Sequence, residues 1–218
     1  MAKTGVLHPV VAPIEKENYA AVPTYGKGFV IGRAITVDKS PTYGENPLYA
    51  DNREVDNDKE MTTGDISVNI DELGTSHEEV FRHTSALLGG TVVEAVDGGV
   101  MEYHSGSMPT EQYFGYGDVQ PGKYPDGKGL YFEACWYYKV KFAPGSSSAS
   151  TKGSSTTWQT DTVSGKFHPV PGMETNKNVY KKARFDKEAD AVAWLDALAG
   201  IEAAEATTTA TTGEETDI

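Results

Sequence analysis

The cleanest alternation in the chain runs from Asp65 to Leu73, where Ile66, Val68 and Ile70 are separated by Ser67, Asn69 and Asp71. A period of two predicts a strand with one buried and one wet face. Phe29 to Asp38 (FVIGRAITVD) reads as another strand. Leu130 to Phe142 (LYFEACWYYKVKF) carries the strongest strand pattern. Leu130, Phe132, Ala134, Trp136, Tyr138, Val140 and Phe142 fall on one face, and Glu133, Lys139 and Lys141 on the other. Ser154 to Val170 is Thr-rich and polar on both faces, yet β-prone. The Gly/Ser-rich stretch APGSSSASTKG between the last two reads as a flexible connector, so antiparallel pairing of those strands is expected.

Two segments change period from two to 3.6. SHEEVFRHTSALLGG opens with a capping box, Ser76 to Glu79, and closes at Gly89-Gly90, with Val80, Leu87 and Leu88 as apolar contacts. FDKEADAVAWLDALAG has Asp186 as its expected N-cap and Gly200 as its stop. Ala191, Trp194, Leu195 and Leu198 form a stripe that must pack on the strands. The expected organisation is an N-terminal arm over residues 1–28, one mainly β domain over 29–200, and a tail over 201–218. The helices of that domain are expected near 76–88 and 186–199. The tail has almost no large apolar residue and reads as disordered. DKSPTYGENPLYADNREVDNDKEM reads as a long loop carrying Pro41, Tyr43, Leu48 and Tyr49, with Asp51-Asn52 as a turn between short strands. Apolar residues on a loop mark either a partner surface or a fold-back onto the loop's own domain.

The net charge of −13 argues against a basic nucleic-acid reader. Five of the acids (Glu202, Glu205, Glu214, Glu215 and Asp217) lie beyond Ile201 with no Lys or Arg among them. The single cysteine, Cys135, rules out an intramolecular disulfide and fits a reducing compartment. MAKTGVLHPVV does not read as a signal peptide, and no apolar run is long enough for a transmembrane helix, so membrane insertion is not expected.

Local motifs do not nominate an enzyme. Asp56, Asp58 and Glu60 imitate the start of a calcium loop, but Met61 and Ser67 stand where that loop needs Gly and Glu. His77 and His83 are six apart, whereas a zinc-gripping helix needs two His four apart. Gly26, Gly28 and Gly32 precede a strand instead of following one, unlike the dinucleotide fingerprint. Cys135 sits within a strand and reads as a structural thiol. No catalytic residue, cofactor or metal is therefore expected. A carbohydrate-binding β-sandwich is the alternative from another class, with Tyr113, Phe114, Tyr116, Tyr124 and Trp158 as its aromatic platform.

The order of PLYADN, TTGDISVNIDEL, EACWYYKVKF and STKGSSTTWQTDTVSGKFHPV resembles the major tail proteins of long-tailed bacteriophages. The motifs carrying the likeness are Tyr49-Ala50-Asp51-Asn52, Tyr138 to Phe142, Thr151-Lys152-Gly153 and Gln159-Thr160, and the last helix resembles that family's closing helix. The resemblance implies a β-sandwich or partial-barrel protomer with two flanking helices, stacked as hexameric rings into a tail tube. Double-stranded DNA would pass through it without specific binding. It further implies contacts with tape measure and tail terminator proteins, synthesis in the host cytoplasm and residence in the virion. On this reading Tyr43, Leu48, Tyr49, Asp51 and Asn52 belong to a subunit interface. Lys139, Lys141, Thr157, Gln159 and Asp161 belong to lumen-wall strands.

Overall fold

The computed structural model describes residues 3–17, 21–74, 76–94, 101–106, 110–125, 127, 129–143 and 160–202. The chain is mainly β. Its strands are β1 (Leu7–Lys16), β2 (Thr24–Tyr25), β3 (Phe29–Val30), β4 (Ala34–Ala50), β5 (Arg53–Ile70), β6 (Thr91–Glu94), β7 (Met101–His104), β8 (Phe114–Lys123), β9 (Leu130–Ala143), β10 (Asp161–Phe167) and β11 (Tyr180–Phe185). Among the described residues there are also two helices, α1 (His77–Leu88) and α2 (Glu188–Ala199).

All pairings are antiparallel. The main path runs β2-β1-β8-β9-β10-β5-β4, with β11 added to β9 and β3 added to β1. β3 runs on through Ile31–Arg33 into β4, which pairs with β5, so the pairing forms a circuit interrupted only at that kink. Hydrogen bonds from Ile31 N to Pro9 O and from Asp71 N to Arg33 O bridge the interruption. Gly32 makes the kink with φ of 131°, and a Cβ there would stand 2.2 Å from Glu72 O. Only glycine fits both conditions. The strand expected over Phe29–Asp38 is therefore two strands, the second of which continues to Ala50.

Inside the circuit lies the first core, which includes Val11, Ile66, Val68, Phe114, Tyr116, Tyr137, Phe142 and Phe167. α1 closes one end through Leu87, while His83 stacks on Phe29 at 4.1 Å. The N-cap forms at Ser76 as expected, its Oγ accepting from Glu79 N. The second core lies on the outside of the β1-β8-β9 wall. There Ala191, Leu195 and Ala199 of α2 pack over Val10, Val119 and Trp136. Burying Trp136 completely makes it an anchor whose truncation would cost about 3–5 kcal/mol.

Three further expectations need correction. Residues 7–16, read as part of an arm, form β1, and Val10, Val11 and Ala12 are fully buried. β9 is not apolar on one face and polar on the other. Cys135 and Tyr137 join the first core, whereas Ala134, Trp136 and Tyr138 join the second. Tyr116 pairs with Tyr137 but Phe114 pairs with Val140, so β9 carries one extra residue there. The bulge flips the alternation and returns Val140 and Phe142 to the side of Tyr137. At α2 the N-cap is Lys187, one residue later than expected. The Asp186 carboxylate instead accepts from the Tyr124 hydroxyl at 3.3 Å.

β9 and β10 pair antiparallel as expected, but β10 starts at Asp161. The connector from Pro144 onward, the remainder of the expected strand from Ser154 to Gln159, and the tail from Ala203 lie outside the described residues.

Candidate assembly surface

The acidic stretch expected as a loop is a β-hairpin. β4 and β5 pair from Ala34–Ile70 out to Ala50–Arg53, closed by Asp51 and Asn52 at φ of 51° and 61°. Two successive left-handed residues make the turn whose twist matches that of paired strands, and Asp and Asn tolerate that conformation best after glycine. The turn was legible in the sequence; the length of the flanking strands was not. β10 accompanies β5 only as far as Gly64. Beyond that point the two strands project as a ribbon with no third strand among the described residues.

The ribbon is polar but carries large apolar side chains in water. Tyr43, Leu48, Tyr49 and Val55 are 57%, 61%, 64% and 63% exposed. They do not fold back into the domain. β4 pairs without extra residues of its own from Thr36 to Ala50, since both outer irregularities insert a residue in β5. Simple alternation therefore puts Tyr43, Glu45, Pro47 and Tyr49 on one side and Leu48 on the other. Cross-strand support comes from Lys59, 2.6 Å from Glu45. The hydrogen bond from Lys59 holds the Glu45 carboxyl below its ordinary range. An exposed pair of this kind contributes little, and an isolated two-stranded ribbon is marginal in water. A backbone extended through Asp56, Asp58 and Glu60 also cannot wrap an ion as a calcium loop does.

At its root the ribbon faces the segment between β10 and β11. Tyr43 and Met61 form one wall of a cleft of about 400 Å³, and Asn178, Val179 and Tyr180 form the other. Sequence reasoning missed Val55, Met61 and this cleft. Met61 packs on the first core, but its polar neighbours in NDKEMTTG hide that role.

The interface residues inferred from the sequence, Tyr43, Leu48, Tyr49, Asp51 and Asn52, thus all fall on one projecting element. The lumen-wall set is more scattered. Lys139 lies 2.6 Å from Glu17 and 4.1 Å from the Tyr113 ring, and Lys141 lies 3.0 Å from Glu111. Asp161 sits at the far end of β10, opposite Ile70. Thr157 and Gln159 lie outside the described residues. Beside Lys139, His168 is pushed below its ordinary range by burial and by Lys139, Lys166 and Lys141.

Among the described residues the aromatics of the carbohydrate reading do not gather into an exposed platform. Phe114 and Tyr116 are buried in the first core, and Tyr124 packs on Tyr131 at 5.1 Å. Tyr113 is flanked by Lys139 and His168. Trp158 lies outside the described residues. Cys135 is buried, and that burial pushes its thiol up to about 11, which suits a packing role. Among the described residues no three His, Cys, Asp or Glu converge as metal ligands, and no helix is long and apolar enough to cross a membrane. No model of a known protein family matches the chain, nor does any curated protein.

Proposed function

We propose that the chain is a structural subunit of a viral tail tube, self-assembling into stacked hexameric rings through which double-stranded DNA passes into the host. The observation that carries this reading is the ribbon beyond Gly64, with Tyr43, Leu48, Tyr49 and Val55 mostly exposed on an element that no third strand accompanies among the described residues. Apolar side chains displayed on a projecting arm are stabilised when a second surface covers them. A contact between unlike patches repeats from copy to copy and closes into rings or continues as filaments. The motifs shared with major tail proteins supply the direction of the proposal, and the mainly β antiparallel fold is compatible with it.

Charge supports the same reading. With 32 acids against 19 Lys and Arg the chain repels DNA on balance, whereas an excess of Lys and Arg contacts would release counterions and hold it. Lys139 and Lys141 are each paired with a carboxylate, so neither offers an uncompensated charge to a phosphate backbone. Tape measure and terminator proteins are the expected partners at the tube's interior and end, and the virion is the expected location.

Electron microscopy of the purified full chain, concentrated and then incubated with a preformed tube seed, tests the proposal. Six-fold rings or hollow tubes are the expected result. Compact single particles under both conditions would overturn it.

A further inference from the structure

Lys39 and Asp118 meet across the first core. They lie 79 residues apart in sequence, on β4 and β8, which are not neighbours in the sheet. Asp118 is the one fully buried charged side chain among the described residues. Lys39 Nζ contacts Asp118 Oδ2, and only 13% of the Lys39 side chain is exposed. The surroundings are aromatic, with Nζ 4.9 Å from the Tyr137 ring centre and 5.4 Å from that of Tyr116. Gln120 Nε2 donates to the other carboxylate oxygen, Oδ1, at 2.9 Å.

An ion pair stripped of water is held at a high desolvation cost, and a reaction that removes both charges relieves it. We propose that Lys39 and Asp118 condense into an intramolecular amide that staples β4 to β8 across the barrel. A proton first passes from Nζ to Oδ2, which frees the nitrogen lone pair; Nζ then attacks Asp118 Cγ and a C–N bond forms. The developing negative charge sits on Oδ1, where the Gln120 amide already donates. A second proton then passes from Nζ to Oδ2, the Cγ–Oδ2 bond breaks, and one water leaves. Ammonium plus carboxylate become amide plus water, with no oxidant, nucleotide or metal consumed. In bulk water the ions would win. Here the water leaves where Lys39 reaches the surface, and the amide persists because hydrolysis without a catalytic group is slow. Cys135, which faces Asp118 across β8 and β9, does not compete as nucleophile, because burial keeps its thiol protonated. Gln120 acts as a positioning and polarising residue.

Intact-mass measurement on the denatured full chain tests this directly. The expected mass is the sequence mass less one water. A tryptic digest should show no cleavage after Lys39 and one branched peptide joining the Lys39 and Asp118 segments. Lys39→Met and Asp118→Ala should each return the full mass. Gln120→Leu should slow the appearance of the linked form about a hundredfold. The full sequence mass after prolonged incubation of the folded wild-type chain would overturn the proposal. So would a lost water that maps to any other pair. The wild-type mass decides the matter even where a variant fails to fold.

Discussion

Gly64 of β5 lies directly opposite Phe167 of β10, and a Cβ on Gly64 would stand 2.1 Å from Phe167 Cζ. The ring occupies the space a side chain would need, and it packs on Tyr137 at 4.8 Å inside the first core. Gly64 is also the last residue of β5 that β10 accompanies, so the same contact sets where the ribbon departs. Gly64→Ala should destabilise the fold by about 1–3 kcal/mol, because the ring must leave its seat in a packed core. Denaturant titration of the variant measures this, and an unchanged midpoint would show that Phe167 moves freely.

Asn52 has φ of 61° at the second position of the ribbon's turn. Asn52→Gly keeps that conformation at no steric cost, so the hairpin should tighten by a few tenths of a kcal/mol. Asn52→Val should cost about 1–2 kcal/mol locally. The loss should fray the ribbon without unfolding the barrel. Hydrogen exchange should show faster exchange confined to residues near the turn, with protection of Val68 and Val163 unchanged.

These two positions show why the sequence disclosed the barrel better than the ribbon. Ile66, Val68 and Ile70 alternate because one face of β5 meets the core. Among the described side chains from Thr42 to Thr63 only Met61 packs on a core, so no periodicity is written there, and Pro41, Gly44 and Pro47 lower the strand signal further. Pairing there follows from the Asp51-Asn52 turn and from continuity with the barrel. β1 was hidden for a different reason. Pro9 and Pro13 flank its buried Val10, Val11 and Ala12, and proline demotes a strand unless its partners are known. The face switch in β9 depends on an extra residue relative to β8, a property of the pair that neither strand carries alone. The proposed interface residues could be named from the sequence because Leu48 and Tyr49 stand out among acids, whereas Met61 and Val179 pack on the first core only through tertiary structure.

Glu133 links pH to stability. Burial alone would raise its pKa, but hydrogen bonds from Lys3 and Arg184, with Lys182 nearby, outweigh it and hold the carboxyl at about 2, against 4.5 for the ordinary group. A carboxyl depressed in the folded state binds its proton more weakly there than in the unfolded chain. Its contribution is therefore complete above pH 4.5 and lost as pH falls from there through about 2. With the three cations each about 40% exposed, solvent screening leaves about 1–2 kcal/mol of the effect. Glu133→Gln should be less stable at neutral pH, since the cations lose their shared anion. Its stability should also vary less between pH 4.5 and 2 than that of the wild type. Denaturation midpoints across that range test both parts, and parallel curves for the two proteins would contradict the assignment.

Leu48 and Tyr49 separate folding from assembly. Both are more than 60% exposed and lie far along the ribbon from the core, so removing them takes little from the isolated subunit. The double variant Leu48→Ser, Tyr49→Ser should unfold within about 0.5 kcal/mol of the wild type. If the ribbon is covered by another copy, each large side chain would be buried on assembly, and burying a leucine or aromatic ring is worth about 1.5–3 kcal/mol. Losing two such contacts per subunit, repeated around and along a tube, should stop growth at concentrations where the wild type polymerises. Sedimentation and light scattering read that difference directly. Tyr49→Phe should still assemble, because the ring is retained. A double variant that forms tubes at the wild-type concentration would place the assembly contact elsewhere, even if the tube reading itself survived.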